Sequence, residues 1–521
     1  MDNKQTNNLK ILIKELPEVY QPIFNHNELL METSRICNDR LDQISNVYKL
    51  LEQTLKRPLR VLDMGCAQGF FSLSLAQLGA SVKGIDFLDK NIAVCNALAN
   101  ENEKLNVEFE VGRIENIIRN LKDEEYDLVL GLSVFHHIVH EHGLETTKNM
   151  LSNLANKVSV AIFEVALAEE PLYWASSQAK NPRDLLSGFA FVHELAKYNT
   201  HLSNINRPLF VSSNKFWILN QQIGEFDFYK NESHKLDQGS HQLTRRYFFS
   251  KDQIVKLYLL DNQNRIEINT KEYHKEIDFL SSQAKEDFNM PKLILHGAND
   301  SELWLVREKI AGELLLNFID KKQEYNSKKV IEQILKQIVT LEKKELFHND
   351  IRTWNVLIDE NNDALLIDYG AISHEINDCV WPYNRFLCFM LFIYEVTEKR
   401  LIKYESLRYS SFDLDLLTEP YRSAFIELFK LPNDMLSFSK LQELICYPKV
   451  VDTIPSGISI LAKAMDEVLS IQNEAINPWK AKANEAEAKA NEAISNYHYL
   501  VNSRSWKFTK PLRWIKGLLK K

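Results

Sequence analysis

The chain opens on a helical pattern. Leu9, Ile11, Leu12 and Leu16 recur through its first stretch up to Pro17, and apolar positions at such spacing predict helix across residues 1–56. From residue 57 to 165 the pattern changes to short apolar runs separated by longer amphipathic stretches. Val61–Met64, Val82–Asp86, Val107–Val111, Leu128–Leu132 and Val160–Val165 are the strand candidates. Their alternation with helical segments predicts a parallel sheet covered by helices on both faces. Residues 166–225 are mixed and punctuated by Pro171, Pro182 and Pro208, and a domain boundary is placed near 225. Strand-like pieces follow at Arg246–Phe249 and Gln253–Leu260, and the chain then turns helical. That order fits a two-lobed α+β domain over 226–460. The longest apolar run, Phe386 to Val396, is shorter than the roughly 18 residues that suggest a membrane span and predicts a buried helix.

After Pro478 the pattern changes again. Residues 481–487 (AKANEAE) and 488–494 (AKANEAI) form a near-exact seven-residue repeat, and Ala483, Ala486, Ala490, Ala493, Tyr497 and Leu500 follow a 3-4 spacing. This predicts a helical or coiled-coil spacer over 461–501, although alanine buries little area and a single solvated helix fits the repeat equally. Residues 502–521 read as a basic amphipathic helix. Leu512, Ile515 and Leu519 share one face, Arg513, Lys516 and Lys520 another, and Trp506 and Trp514 accompany them. That is the pattern of a helix lying in a membrane interface against anionic lipid.

Composition narrows the class. At 521 residues two or three domains are expected, and 45% hydrophobic with 26% charged residues is ordinary for soluble globular protein. A net charge of -8 argues against general nucleic-acid binding. Six scattered cysteines without paired metal spacing read as reduced cytosolic thiols. The start, Met1 to Gln5, opens onto a polar stretch rather than an apolar signal segment.

Two chemical signatures stand out. Val61-Leu62-Asp63-Met64-Gly65-Cys66-Ala67-Gln68-Gly69 is a strand entering a glycine turn. Gly65 and Gly69 lack a Cβ and let backbone amides approach a ligand. Asp86 ends the next strand, where a carboxylate accepts from ribose hydroxyls. The Asp-x-Gly-x-x-x-Gly pattern, with Asp63, looks like S-adenosylmethionine methyltransferases more than dinucleotide enzymes. In that superfamily the segment after the third strand, Gly112-Arg113-Ile114-Glu115, lies against the adenine. The fourth carries Leu132 and a His136-His137 pair at the strand end beside the methyl group, and either histidine is a candidate to touch the acceptor.

The second signature is His348-Asn349-Asp350-Ile351-Arg352-Thr353-Trp354-Asn355, followed by Asp368-Tyr369-Gly370. It looks like the catalytic and metal-binding loops of a protein-kinase fold. Asp350 is the candidate base, Asn355 and Asp368 the metal ligands, and Arg352 a candidate to neutralise charge on the transferring phosphoryl group. Lys256 looks like the strand lysine on ATP phosphates, Glu276 its ion-pair partner, and the segment through Glu308 and Ile310 the hinge that holds adenine. The glycine-rich loop and an Ala-Pro-Glu segment are missing, which points away from regulated protein kinases toward small-molecule or glycan kinases. Mg²⁺ and Mn²⁺ both suit such oxygen ligands.

Together these segments, with Glu15–Gln21 and Asn38–Asp42, resemble the bifunctional kinase–methyltransferases that terminate polymannose O-antigen chains in Gram-negative bacteria. The resemblance covers roughly residues 10–400. It implies a Rossmann-like methyltransferase domain with an N-terminal helical lid over 1–225, whose Tyr20, Gln21 and Arg40 contact the donor. It implies that ATP phosphorylates the terminal mannose and that the second domain methylates that phosphate. A coiled-coil ruler, a mannosyltransferase polymerase partner, a homo-oligomer (the family suggests a trimer) and peripheral attachment to the inner membrane from the cytoplasm are further implications. The segment after Pro478 is only about 30 Å of helix at 1.5 Å per residue, which on the ruler logic implies shorter chains. Direct methylation of sugar beside an idle kinase domain, and a membrane scaffold for a glycosyltransferase, stay open at this point.

Overall fold

The computed structural model describes residues 3–449 apart from 201, 237–238, 240, 283–287, 289, 376–383 and 402–413. The repeat and the basic tail, at 461–501 and 502–521, lie outside the described residues. The chain divides into two compact units, Met1–Ser281 with Pro291–Ile310, and Ser282–Met290 with Ala311–Lys521.

The first unit carries two sheets. Strands β1 (Arg60–Met64), β2 (Ser81–Asp86), β3 (Val107–Val111), β4 (Leu128–Leu132), β5 (Val160–Glu164), β6 (Phe191–Tyr198) and β7 (Arg207–Ser213) form a sheet of order β3-β2-β1-β4-β5-β7-β6. The first five are parallel, β7 runs antiparallel to β5, and β6 runs antiparallel to β7. Side chains alternate across it. Val61, Leu128, Leu130, Val160 and Ile162 enter one core, while Leu62, Val129, Ala161 and Phe163 enter the other. Period-two alternation with both sides apolar is what a sheet sandwiched between helix layers requires. Helices α1 (Asn3–Lys14), α2 (Asn38–Leu55), α3 (Phe70–Gln77), α4 (Asp89–Glu101), α5 (Ile114–Asn120), α6 (Phe135–His142) and α7 (Leu144–Ala155) supply those layers. The five predicted parallel strands stand within one residue of the expected ends.

A hairpin of β8 (Phe216–Leu219) and β9 (Gln222–Glu225) leads into the second sheet. Strands β10 (Phe228–Lys230), β11 (Arg245–Phe249), β12 (Gln253–Leu259), β13 (Leu293–Ala298) and β14 (Glu302–Glu308) are all antiparallel in order β10-β11-β12-β14-β13, with α8 (Gln263–Ser281) after β12. The core below the first sheet continues into the second. Phe191, Leu209, Trp217 and Phe226 belong to the same buried cluster as Phe248, Val255, Leu257 and Val306, and the Phe191 and Phe248 rings meet edge to face at 5.5 Å.

The second unit holds β15 (Glu313–Leu314), β17 (Val356–Ile358) and β18 (Ala364–Leu366) as a small sheet, and β16 (Phe347–His348) paired with β19 (Ile372–Ser373). Helices α9 (Leu315–Asp320), α10 (Ser327–Glu342), α11 (Arg385–Glu398), α12 (Tyr421–Leu428) and α13 (Phe438–Cys446) complete it. Val330, Ile331, Ile334, Leu335, Ile338 and Leu341 line the buried stripe of α10. Most of α11 is buried, from Phe386 to Val396, as its long apolar run predicts. Among the described residues no helix is long and apolar enough to cross a membrane.

Candidate active sites

The glycine turn joins β1 to α3. Gly65 and Gly69 both have φ of +78°, which glycine adopts without strain. A Cβ on Gly65 would stand 2.2 Å from Val134 Cγ1. Gly65 N–H donates to the Ile85 carbonyl (2.7 Å) and Gly112 N–H to the Asp86 carbonyl (2.9 Å), so the ends of β1, β2 and β3 are tied together. Asp86 accepts from the Ala67 and Leu88 amides (3.0 and 2.9 Å) and from Asn91 Nδ2 (3.2 Å), and burial raises its pKa. Gln21 braces the turn, its N–H donating to Gln68 Oε1 (3.0 Å) and its Oε1 accepting from Phe70 N–H (3.1 Å). Leu132 ends β4, Ile114 opens α5, and the Arg113 side chain is exposed.

Several predicted residues stand differently. Asp63 accepts from Ser72 Oγ of α3 (2.6 Å), and burial pushes its pKa up to about 6. It therefore anchors the helix. Glu115 is taken by His142 Nε2 (3.0 Å). Arg40 is buried, its Nε on Glu164 (2.8 Å) and its Nη2 on the Asn199 carbonyl (2.7 Å). The His136-His137 pair sits on the first turn of α6 rather than at the strand end, because β4 stops at Leu132. Burial pushes His136 down to about 2, helped by His137, Arg207 and Arg35, and burial also lowers His137. His136 is thus a neutral imidazole at physiological pH. His137 Nδ1 meets Tyr173 Oη at 3.3 Å.

Beside this pair lies a buried charged cluster that the motifs did not reveal. Glu164, at the end of β5, takes Arg35 Nη2, Arg40 Nε and Ser133 Oγ. Burial alone would raise its pKa, but Arg35 and Arg40 more than offset that and hold it below the usual range. Arg35 Nη1 also donates to Tyr20 Oη (2.6 Å), which ties the predicted Tyr20 to the same cluster. Arg207 is bidentate to Glu170 (2.8 and 2.6 Å). The signal was present only as lone charges, Glu164 and Arg207, at the ends of largely apolar strands, since buried charges are rare unless paired.

The phosphoryl-transfer residues divide between the two units. In the first, Lys256 of β12 meets Glu276 of α8 (Nζ–Oε2 2.7 Å), and Tyr258 Oη donates to the same oxygen (3.1 Å). Burial works to raise the Glu276 pKa, but Lys256 and Arg307 hold it below the ordinary value. Glu308 is tied to Lys292, donating its N–H to the Lys292 carbonyl (3.0 Å) and accepting from Lys292 N–H at Oε2 (3.0 Å). Ile310 is the last residue of the first unit.

In the second unit, Asp350 Oδ2 accepts from Asn355 Nδ2 (2.7 Å) and Trp354 Nε1 (3.1 Å). His348 Nε2 donates to the Ile367 carbonyl (2.8 Å), and its Nδ1 accepts from Asp350 N–H (3.3 Å). Asp368 is held at φ +67°, a left-handed geometry that for a non-glycine residue marks a constrained loop. Both Asn355 bonds run through Nδ2. That leaves Oδ1 and the Asp368 carboxylate as hard oxygen donors of the kind a divalent cation needs. Arg352 is only 1% exposed and donates to the Ile351 and Cys388 carbonyls (3.3 and 3.2 Å), so it braces the loop against α11.

Comparison with known proteins agrees with both halves. Residues 55–209 match the methyltransferase domain family and residues 234–386 the protein kinase domain family. The chain is 43% identical over 397 residues, 75% of its length, to the O-antigen chain terminator bifunctional methyltransferase/kinase WbdD of Escherichia coli. That match spans 56% of the relative's length. A low-resolution structure of WbdD with its C-terminal bundle ordered aligns with TM-score 0.85 at 36% identity, covering 94% of this chain and all of that one. A crystal structure of monomeric WbdD aligns with TM-score 0.74 at 37% identity, covering 84% of this chain and all of that one. The chain belongs to the WbdD family. Within that family frame, the buried cluster around Glu164 and Arg207 belongs to the methyltransferase half, and the Asp350 loop to the kinase half.

Proposed function

We propose that the protein terminates extension of a polymannose-type O-antigen, phosphorylating the terminal sugar hydroxyl with ATP and then methylating that phosphate with S-adenosylmethionine. The observation that carries the reading is the presence, in one chain of the WbdD family, of both the tied glycine turn and the Asp350–Asn355–Asp368 set. Lys256, fixed by Glu276, supplies a positive charge for ATP phosphates, and the segment ending at Ile310 supplies the adenine hinge. Asp350, oriented by Asn355 and Trp354, receives the proton of the attacking sugar hydroxyl. Asn355 and Asp368 would hold Mg²⁺ or Mn²⁺, which when bound neutralises phosphate charge. Gly65, Gly69 and Asp86 form the donor cradle, with Gly112–Ile114 and Leu132 around it and Tyr20, Gln21 and Arg40 bracing it. The acceptor is a lipid-linked glycan. A mannosyltransferase polymerase, a homo-oligomer and attachment at the cytoplasmic face of the inner membrane complete the proposal.

Mass spectrometry of an oligomannoside incubated with ATP, S-adenosylmethionine and Mg²⁺ tests it. The wild type is expected to phosphorylate with ATP alone and to methylate only when both are present. Asp350→Ala is expected to lose phosphorylation by at least 100-fold while still methylating an acceptor phosphorylated beforehand. Methylation of unphosphorylated glycan without ATP would overturn the sequence of steps.

A further inference from the structure

The charged cluster beside the histidine pair is not fully paired. Ser133 Oγ stands 3.2 Å from Arg35 Nη1 and 3.2 Å from Arg207 Nη1, so one hydroxyl bridges two guanidiniums. Behind them, Arg35 Nε, Trp174 Nε1 and His136 Nδ1 are buried without a hydrogen-bond partner among the described residues. The first two are obligate donors. Buried donors are almost always satisfied, and three orphans in one neighbourhood ask for an acceptor. The Arg207 guanidinium lies 5.9 Å from the Trp174 ring, and that ring lies 4.5 Å from the His136 ring. Residues with so many donors and so little exposure suit an anion rather than a neutral group.

The surroundings narrow the anion. Tyr173 is 65% exposed at the lip of the cluster, its ring 4.6 Å from that of Trp174 and 5.2 Å from that of His140. An exposed aromatic ring next to buried guanidiniums matches a ligand with an apolar sugar face and a phosphoryl group on one of its hydroxyl oxygens. We propose that Arg35, Arg207, Trp174 and Tyr173 form the subsite that binds the methyl acceptor as a sugar phosphate monoester. The subsite rests on the function proposed above and deepens it by naming what holds the acceptor.

The transfer then balances without a base. A lone pair on a phosphate oxygen forms the new C–O bond, the sulfonium C–S bond breaks with its electron pair remaining on sulfur, and a dianionic monoester becomes a monoanionic diester. No proton moves, so the step needs no base, and positioning carries the rate. The guanidiniums also orient the phosphoryl group relative to the ends of β4 and β5.

Titration calorimetry on the full chain loaded with S-adenosylhomocysteine tests the assignment, using a phosphorylated oligomannoside, its unphosphorylated form and inorganic phosphate. The wild type is expected to bind the phosphorylated glycan at least tenfold more tightly than the neutral one. Arg207→Lys, which keeps a cation beside Glu170, is expected to weaken the phosphorylated glycan tenfold or more while the affinity for S-adenosylhomocysteine stays within twofold. Tyr173→Ala alters an exposed side chain and is expected to weaken the glycan phosphate several-fold while leaving inorganic phosphate unchanged. If Arg207→Lys instead weakens the nucleoside and spares the glycan, the guanidiniums serve the donor's carboxylate and the subsite is overturned. If both variants bind the phosphorylated glycan like a wild type that methylates it, the subsite lies elsewhere and the function stands. If the wild type neither binds nor methylates any phosphorylated glycan, the function falls and the subsite with it.

Discussion

Two buried glutamates in the first unit sit at strand ends and carry cationic partners, yet they differ in which polar atoms around them are left without a hydrogen bond. Glu302, the first residue of β14, is fully buried and meets Arg183 Nη2 (3.0 Å), His193 Nδ1 (2.8 Å) and the Glu194 amide (2.8 Å). Arg183 donates in turn to the Val192 carbonyl (2.6 Å). This cluster fastens the first sheet to the second. Glu164 carries comparable charge, but its partners leave donors unanswered. At Glu302 the atom left over is the acceptor Oε2, whereas near Glu164 it is the donors Arg35 Nε and Trp174 Nε1, and unanswered donors are what an anionic ligand could meet.

Breaking the Glu302 cluster should have the largest effect. Glu302→Ala leaves Arg183 and His193 buried without their anion, which costs about 3–5 kcal/mol. Urea unfolding followed by tryptophan fluorescence should show it, with methyl transfer per folded molecule unchanged below the new midpoint. The pH dependence has a definite sign. Burial alone would raise the Glu302 pKa, but Arg183 and His193 pull it from 4.5 to about 2. Its contribution is therefore full above about pH 4.5 and is lost as the pH falls toward 2. The stability difference between wild type and variant should shrink over that window. A difference below about 1 kcal/mol at pH 7 would mean that the cluster does not fasten the two sheets.

Asp63 sharpens the comparison from the opposite side, because it is buried with a hydroxyl and no cation. Burial raises its pKa from 3.8 to about 6. The folded state then holds the proton more tightly than the unfolded chain, so stability falls as the pH rises from about 4 through 6. Asp63→Asn keeps an acceptor for Ser72 and removes the charge. It should stabilise the protein by up to about 3 kcal/mol at pH 8, with no gain below pH 4, as read by thermal unfolding at the two pH values. Equal midpoints at pH 8 would place a cation or water beside the carboxylate.

The parallel strands were legible because their evidence is local. Five apolar runs, a glycine turn and an acid at the next strand end lie within a few residues of one another, and the lysine strand and the Asp350 loop are fixed by spacing. The charged cluster was not legible, because Arg35, Glu164 and Arg207 come together only through a sheet that interleaves distant segments. Strands β6 to β9 escaped for another reason. Phe191-Val192-His193-Glu194 shows no period because all four residues are buried. Pro208 looked like a breaker, yet it stands at the second position of β7, where its carbonyl accepts from Val165 N–H (3.1 Å). A proline at the start of a strand costs little. The bracing role of Arg352 was hidden for a third reason, since spacing identifies a loop but not which way a long side chain turns.

The smallest effect is expected where enclosure is absent altogether. Lys83 of β2 and Glu110 of β3 meet at 2.6 Å on the sheet surface, with Glu110 about half exposed. In water and salt such a pair contributes roughly 0.2–1 kcal/mol. Glu110→Gln should therefore shift the unfolding free energy by less than about 1 kcal/mol, and that shift should vanish in 1 M salt, where screening acts over about 3 Å. Glu302→Ala should keep most of its cost at the same salt, because its partners are shielded from the solvent. If salt erased both differences alike, burial would not be shielding the Glu302 ion pairs, and they would count for no more than the surface pair of Lys83 and Glu110.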